Sequence, residues 1–232
     1  MHILDNPVWA SLGGAHQHLA ERVGDAVRYQ VDVAPFVTVA PDAGPGVWAD
    51  VAALAGPGAV VTLTGTVPAP PADWEVVLEA GGVQLLDVAL EARPDPEAVR
   101  LTAADVPEIL DLVERTQPGP FRQRTIELGT YLGIRRDGRL VALAGERLHP
   151  PGWTEISAVC TDAEHRGQGL ATRLVRAVAH GIRARGEHPF LHAAATNTNA
   201  IRLYESIGFE LRRRTTFRAV RIPSDALVGD AA

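Results

Sequence analysis

From residue 169 onward apolar side chains return every fourth position, at Leu170, Leu174, Val178 and Ile182, while Arg173, Arg176, Arg183 and Arg185 fall off that stripe. This period marks one face of a helix, so an amphipathic helix is predicted over 169–185. Val106, Ile109, Leu110 and Val113 predict another over 106–115, ended by Gln117, Pro118, Gly119 and Pro120. A third covers 199–207 and is closed by Gly208. A short helical turn is read at 125–128. Apolar, β-branched or alternating runs predict strands at 99–102, 131–136, 140–147, 153–161 and 189–195, and one strand or a hairpin at 209–221. Asp137-Gly138 joins two of them as a hairpin. The order β-α-(α)-β-β-β-α-β-α-β puts a hairpin-rich sheet before a β-α-β unit, so the sheet is expected to be mixed.

The first part of the chain has a weaker pattern. A helix is predicted over 11–27, a strand over 36–39, a short helix over 47–55, and strands at 59–64, 75–79 and 83–87. Gly81-Gly82 between the last two reads as a hairpin turn. Two prolines and four charges without apolar period make 91–97 a linker. The chain is therefore divided into a small α/β unit, 1–90, the linker 91–97, and a main unit, 98–232. The strand-helix-strand order of the first unit echoes the second, as a degenerate copy would.

Composition narrows the class. A chain of 232 residues, 46% hydrophobic and 22% charged, is an ordinary globular protein of one or two domains. No apolar run is long enough to span a membrane, and the first residues lack the form of a signal peptide, so a cytoplasmic location is expected. The lone Cys160 excludes an internal disulfide, and the scattered histidines give no metal-binding spacing. Residues 1–97 hold three arginines against 13 acids; residues 98–232 hold 19 against 15. The acidic half argues against a nucleic-acid partner and would steer a cationic substrate. The second half could hold a small polyanion.

The chemistry lies in Val159-Cys-Thr-Asp-Ala-Glu-His-Arg-Gly-Gln-Gly-Leu-Ala-Thr172. A strand ends, a polar turn follows, and glycines open the amphipathic helix. Free N–H groups of a first helical turn, with the helix dipole, make a phosphate site, and Gly167 and Gly169 let the backbone approach it. All 22 basic residues are arginine, so a P-loop, which needs lysine, is excluded. The dinucleotide fingerprint fails because Thr172 stands where its third glycine belongs.

Arg166-x-x-Gly169-x-Ala171 resembles the acyl-CoA loop of the GNAT superfamily of N-acetyltransferases. Asn197-Thr-Asn-Ala-Ile-Arg-Leu-Tyr-Glu-Ser-Ile-Gly-Phe209 resembles a second segment of that family. The resemblance covers roughly 98–221. It implies the GNAT-like acyl-CoA N-acyltransferase fold, α/β (α+β) with a mixed, mostly antiparallel sheet, here preceded by the smaller α/β unit. It implies acetyl-CoA as cosubstrate and direct transfer of the acetyl group to an amine, on a small molecule or a protein, in a ternary complex. The pyrophosphate would meet backbone groups of Arg166, Gly167, Gln168, Gly169, Leu170, Ala171 and Thr172. The pantetheine arm would pair along Val159, Cys160 and Thr161, with Asn199 contacting it. Tyr204 would protonate the departing thiolate, as a phenol can. For the base, Glu155 comes first, by its place on the strand; Glu146 and His149 follow, and Glu127 could hold the amine. His192 reads as structural, and Cys160 as a small buried hydrophobe. The competing function is a CoA-binding sensor or regulatory module without turnover. The sequence leaves the acceptor unnamed and a homodimer open.

Overall fold

The computed structural model describes residues 2–226; residues 227–232, the end of the expected main unit, lie outside the described residues. Two runs of the chain build the same arrangement. In the first, β1 (Ala20–Val23), β2 (Ala26–Tyr29) and β3 (Phe36–Val39) form an antiparallel meander, followed by α2 (Val47–Ala55) and β4 (Val60–Leu63), which lies parallel to β3. In the second, β7 (Tyr131–Arg136), β8 (Arg139–Glu146) and β9 (Trp153–Thr161) form the meander, followed by α4 (Leu170–Ala184) and β10 (His188–Ala194), which lies parallel to β9.

Each run ends in a long strand, β5 (Glu75–Asp87) and β11 (Phe209–Arg221), and the two are exchanged. β5 pairs with β10 of the second run, β11 pairs with β4 of the first, and β5 and β11 pair antiparallel along their length. The described residues thus share one 11-stranded sheet in the order β1-β2-β3-β4-β11-β5-β10-β9-β8-β7-β6, with the short β6 (Val99–Arg100) at the edge. Apart from β6, the order reads as a mirror about the β11–β5 pair. The sheet is mixed and mostly antiparallel, as expected, and it continues across the linker 91–97. Three further helices are α1 (Pro7–Leu12), α3 (Val106–Thr116) and α5 (Thr198–Ser206).

Two expectations fail, one for a local reason and one for a distant one. No helix spans 11–27: α1 ends before Gly13-Gly14, and a hairpin follows, turned at Gly24 with φ +50°. Gly81-Gly82 is no turn either. A Cβ on Gly82 would stand 2.5 Å from a ring carbon of Phe217 and 2.6 Å from the Thr215 hydroxyl, so the glycine lets β11 side chains cross β5. The Asp137-Gly138 hairpin forms as read, both residues having positive φ.

The apolar stripe of α4 (Leu170, Leu174, Val178, Ile182) is buried against Ile134, Val141, Ala142 and Ile156 of the second half's strands. In the first half Trp48 and Val51 of α2 pack on Val37, Val39, Val61 and Leu63. The uneven charge is largely spent between the halves. Asp5, Asp32, Glu75, Glu79, Asp87 and Asp95 pair with Arg212, Arg124, Arg221, Arg218, Arg183 and Arg173 respectively.

Candidate active site

β9 and β10 pair only over 153–156 and 188–191. Past that point they part. The β8–β9 register slips between Leu143 and Gly145, placing Ala158 and Val159 opposite the single Ala144; Ala158 has φ +53°. Such a bulge bends a strand and frees its backbone groups. A cleft of about 920 Å³ opens there, walled by Val159, Cys160 and Thr161, the loop after α3 and residues of β10 and α5.

At one end of the cleft stands the glycine loop. Gly167 and Gly169 have φ +76° and +74°, and neither has any atom within 4 Å of where a Cβ would be. Gly169 caps α4 without a side-chain bond, so the first N–H groups of that 15-residue helix are free for a ligand. Arg166, Gly167, Gly169, Leu170, Ala171 and Thr172 line the cleft; Gln168 is exposed and does not.

Tyr204 also lines the cleft, packed on Phe209 with ring centroids 6.0 Å apart. Burial pushes its pKa up to about 12, so the phenol is protonated at neutral pH. Asn199 is exposed and outside the cleft. The cleft asparagine is Asn197, whose Oδ1 caps α5 by accepting from Ala200 N at 3.2 Å. The structure thus places Asn197 rather than Asn199 in the cleft wall.

Glu155, expected as the base, does not touch the cleft. It is fully buried, takes Arg147 Nε and Nη2 at 2.7 and 2.6 Å, and meets His192 Nδ1 at 2.6 Å. Burial would raise its pKa, but the Arg147 guanidinium and His192 bring it down to about 2. A carboxylate so held is a poor proton acceptor. Glu146 also lies elsewhere, accepting from Thr130 N and Arg185 at 2.9 Å beside a separate cavity against α4. His149 stands near Glu146, and Glu127 is paired with Arg124; neither lines the cleft.

The titratable base in the cleft wall beside Glu155 is His192, which the sequence reading set aside. Its tautomer is fixed by neighbours. Gln84 Oε1 accepts from Arg212, and its Nε2 donates to the Leu4 carbonyl and faces His192 Nε2 at 3.0 Å. His192 Nε2 is therefore the lone-pair atom, and Nδ1–H points at Glu155. Gln84 and His192 are register partners across β5 and β10. The sequence carried a signal for His192, its alternation with Phe190 along β10. The one for Gln84 was hidden by the false hairpin. No group of three or more His, Cys, Asp or Glu suited to a metal ion occurs among the described residues.

Comparison with known proteins turns up acetyltransferases. A family model described as FR47-like protein matches residues 131–218. The chain is 38% identical over 90 residues to the N-alpha-acetyltransferase RimI of Mycobacterium tuberculosis, a match covering 36% of this chain and 56% of that one. It is 37% identical over 82 residues to a mycothiol acetyltransferase of Thermomonospora curvata, covering 35% and 27% respectively. The chain thus matches little more than half of the first of these relatives and about a quarter of the second. A crystal structure from Novosphingobium aromaticivorans, assigned to the GNAT family of acetyltransferases, superposes with a TM-score of 0.86 at 42% identity, over 95% of this chain and 98% of that one. A GCN5-related N-acetyltransferase from Kribbella flavida shares the fold, with a TM-score of 0.63 at 18% identity over 96% and 97%.

Proposed function

Since the chain belongs to the GNAT family of acetyltransferases, we propose that it moves an acetyl group from acetyl-CoA directly to an amine, both substrates being bound together. The observation that carries this reading is the meeting of the open glycine loop, the splayed end of β9, Tyr204 and His192 around one cleft. The pyrophosphate takes the free N–H groups at the start of α4, and the pantetheine arm pairs along Val159, Cys160 and Thr161. The amine attacks the thioester carbonyl carbon, and the carbon–sulfur bond breaks. The amine's proton passes to His192 Nε2, displacing Gln84, while Glu155 steadies the resulting imidazolium through Nδ1. Glu155 is thus a positioning residue for His192. Tyr204 gives its proton to the departing thiolate. Cys160 takes no covalent part: burial pushes its thiol up to about 11.

We read residues 1–90 as a degenerate copy of the second unit, a reading supported by the repeated β-β-β-α-β order on either side of the β5–β11 pair. The test is thiol release from acetyl-CoA with pooled amines. Gly169→Trp, which fills the phosphate approach, should lose coenzyme A binding by at least about 100-fold. His192→Gln should keep that binding but lower turnover by about 100-fold or more. A His192→Gln enzyme with wild-type turnover and pH profile removes His192 as the base. Thiol release untouched by Gly169→Trp removes the glycine loop as the cofactor site, and no thiol release with any amine sinks the transferase reading.

A further inference from the structure

Next to the cofactor cleft lies a smaller cavity of about 80 Å³ between the two halves, and Phe36, Arg147, His192 and Phe217 line both. Its charge is unbalanced. Asp5, the one carboxylate in its wall, already accepts from Arg212 at 2.7 Å and Arg213 at 2.8 Å. Glu155, behind the wall, is spent on Arg147. Three guanidinium groups thus share two carboxylates. Arg213 is 39% exposed on its side chain and uses one nitrogen on Asp5, leaving other donors for a ligand.

The sequence explains why two arginines converge. Neighbours on a strand point to opposite faces, but β11 slips register between Leu211 and Arg213, making Arg212 an extra residue. The bulge lets both side chains reach Asp5. Further along the same strand the Thr215 hydroxyl is buried at the cavity without a hydrogen-bond partner. A guanidinium with donors beyond its Asp5 bond and an orphaned hydroxyl are complementary to an anion, and a carboxylate takes such a pair through charge-assisted bonds.

Resting on the transferase reading above, we propose that this cavity anchors the acceptor, and that the acceptor is a small amino acid-like molecule. Its carboxylate binds Arg213 and the Thr215 hydroxyl, and its amine lies at His192, where the cavity meets the cleft. The small volume suits a carboxylate and a few carbon atoms. The acids of the first half do not form a cation-binding wall here, because Asp5 is already paired.

The test is calorimetric titration of the full chain, with and without coenzyme A, using alanine, leucine and phenylalanine beside their carboxamides, followed by thiol release with the same six compounds. The free acids should bind at least about tenfold more tightly than the carboxamides. Arg213→Gln should abolish that preference and raise the acceptor KM about tenfold, with kcat and the acetyl-CoA KM unchanged within twofold. Asp5→Asn, which releases both arginines, should strengthen the preference. Carboxamides that bind as well as the acids, or a preference that survives Arg213→Gln, overturn the proposal. The two readings fail separately. Coenzyme A binding without an acid preference removes the anchoring pocket alone. An acid preference without coenzyme A binding removes the transferase and leaves the pocket.

Discussion

In the first half β3 passes to α2 through Pro41, Gly44, Pro45 and Gly46; in the second, β9 passes to α4 through Arg166, Gly167, Gln168 and Gly169. Both connections place Gly-x-Gly before a helix that opens on a buried aliphatic residue, Val47 or Leu170. Their physics differs. Gly169 has φ +74° and ψ 9°, and small Ala171 follows at the cleft wall. Gly46 has φ −64° and ψ −16°, and Trp48 stands where Ala171 does. Trp48 is 5% exposed, meets Trp74 edge-on at 5.2 Å, and donates its indole N–H to the Ala69 carbonyl at 3.0 Å. One helix start lies open at the cleft; at the other Val47 N and Ala49 N donate to the Gly44 and Gly46 carbonyls, each at 3.1 Å. If the second loop is the phosphate site proposed above, two glycines are not enough for one: a left-handed turn and a small neighbour are also required.

The strongest way to break this comparison is Trp48→Ala. It removes a core indole and orphans the Ala69 carbonyl, and should cost about 4 kcal/mol in urea unfolding. It should not create a second nucleotide site, because the turn at Gly46 still points its N–H groups otherwise. Calorimetry should still find one coenzyme A per chain; two would show that the first loop was merely plugged.

A smaller effect tests whether the halves unfold together. His16 is buried among first-half residues, yet its Nε2–H donates to the Leu128 carbonyl at 3.0 Å while Nδ1 accepts from the Tyr29 hydroxyl at 2.7 Å. Burial, reinforced by His149, pushes its pKa from 6.5 down to about 4. The unfolded chain thus takes the proton first as pH falls. The stability tied to neutral His16 is complete above about pH 6.5 and is lost as pH drops toward about 4, amounting to about 3 kcal/mol. His16→Gln should flatten stability across that window. Acid unfolding of the wild type should be one transition, seen equally by probes in either half; separate transitions would contradict the shared sheet.

Much of the second half was legible because its signals are local. The period of α4, the Asp137-Gly138 turn and the Arg166–Thr172 loop each depend on residues close in sequence. The first half yielded less, and its false hairpin has a distant cause. Gly82 is a glycine because of Phe217 and Thr215, more than 130 positions away, so no local rule separates it from a turn. The same exchange of β5 into the second half brings Gln84 beside His192 and Arg213. The part of the cleft wall around His192 was therefore hidden, while the glycine loop was visible. Glu155 was expected as the base by its place on the strand, but its burial behind Arg147 and His192 follows only from packing. The charge asymmetry proved to be mainly complementarity between halves, as Asp87 with Arg183 and Asp95 with Arg173 show.

The gentlest pair of substitutions isolates the backbone from everything else. Neither Gly46 nor Gly169 has an atom within 4 Å of a built Cβ, so alanine meets no clash at either. At Gly169 the left-handed conformation costs an L-residue about 1–2 kcal/mol. At Gly46 alanine fits the existing angles and reduces the freedom of the unfolded chain, a gain of about 0.4–1 kcal/mol. Gly169→Ala should therefore lower the urea midpoint and weaken coenzyme A binding, since the turn relaxes away from the angles that aim its N–H groups. Gly46→Ala should raise the midpoint slightly and leave binding alone. Opposite signs at two glycines of matching sequence context would locate the difference between the halves in one dihedral angle. Equal signs would place it in Trp48 and Ala171 instead.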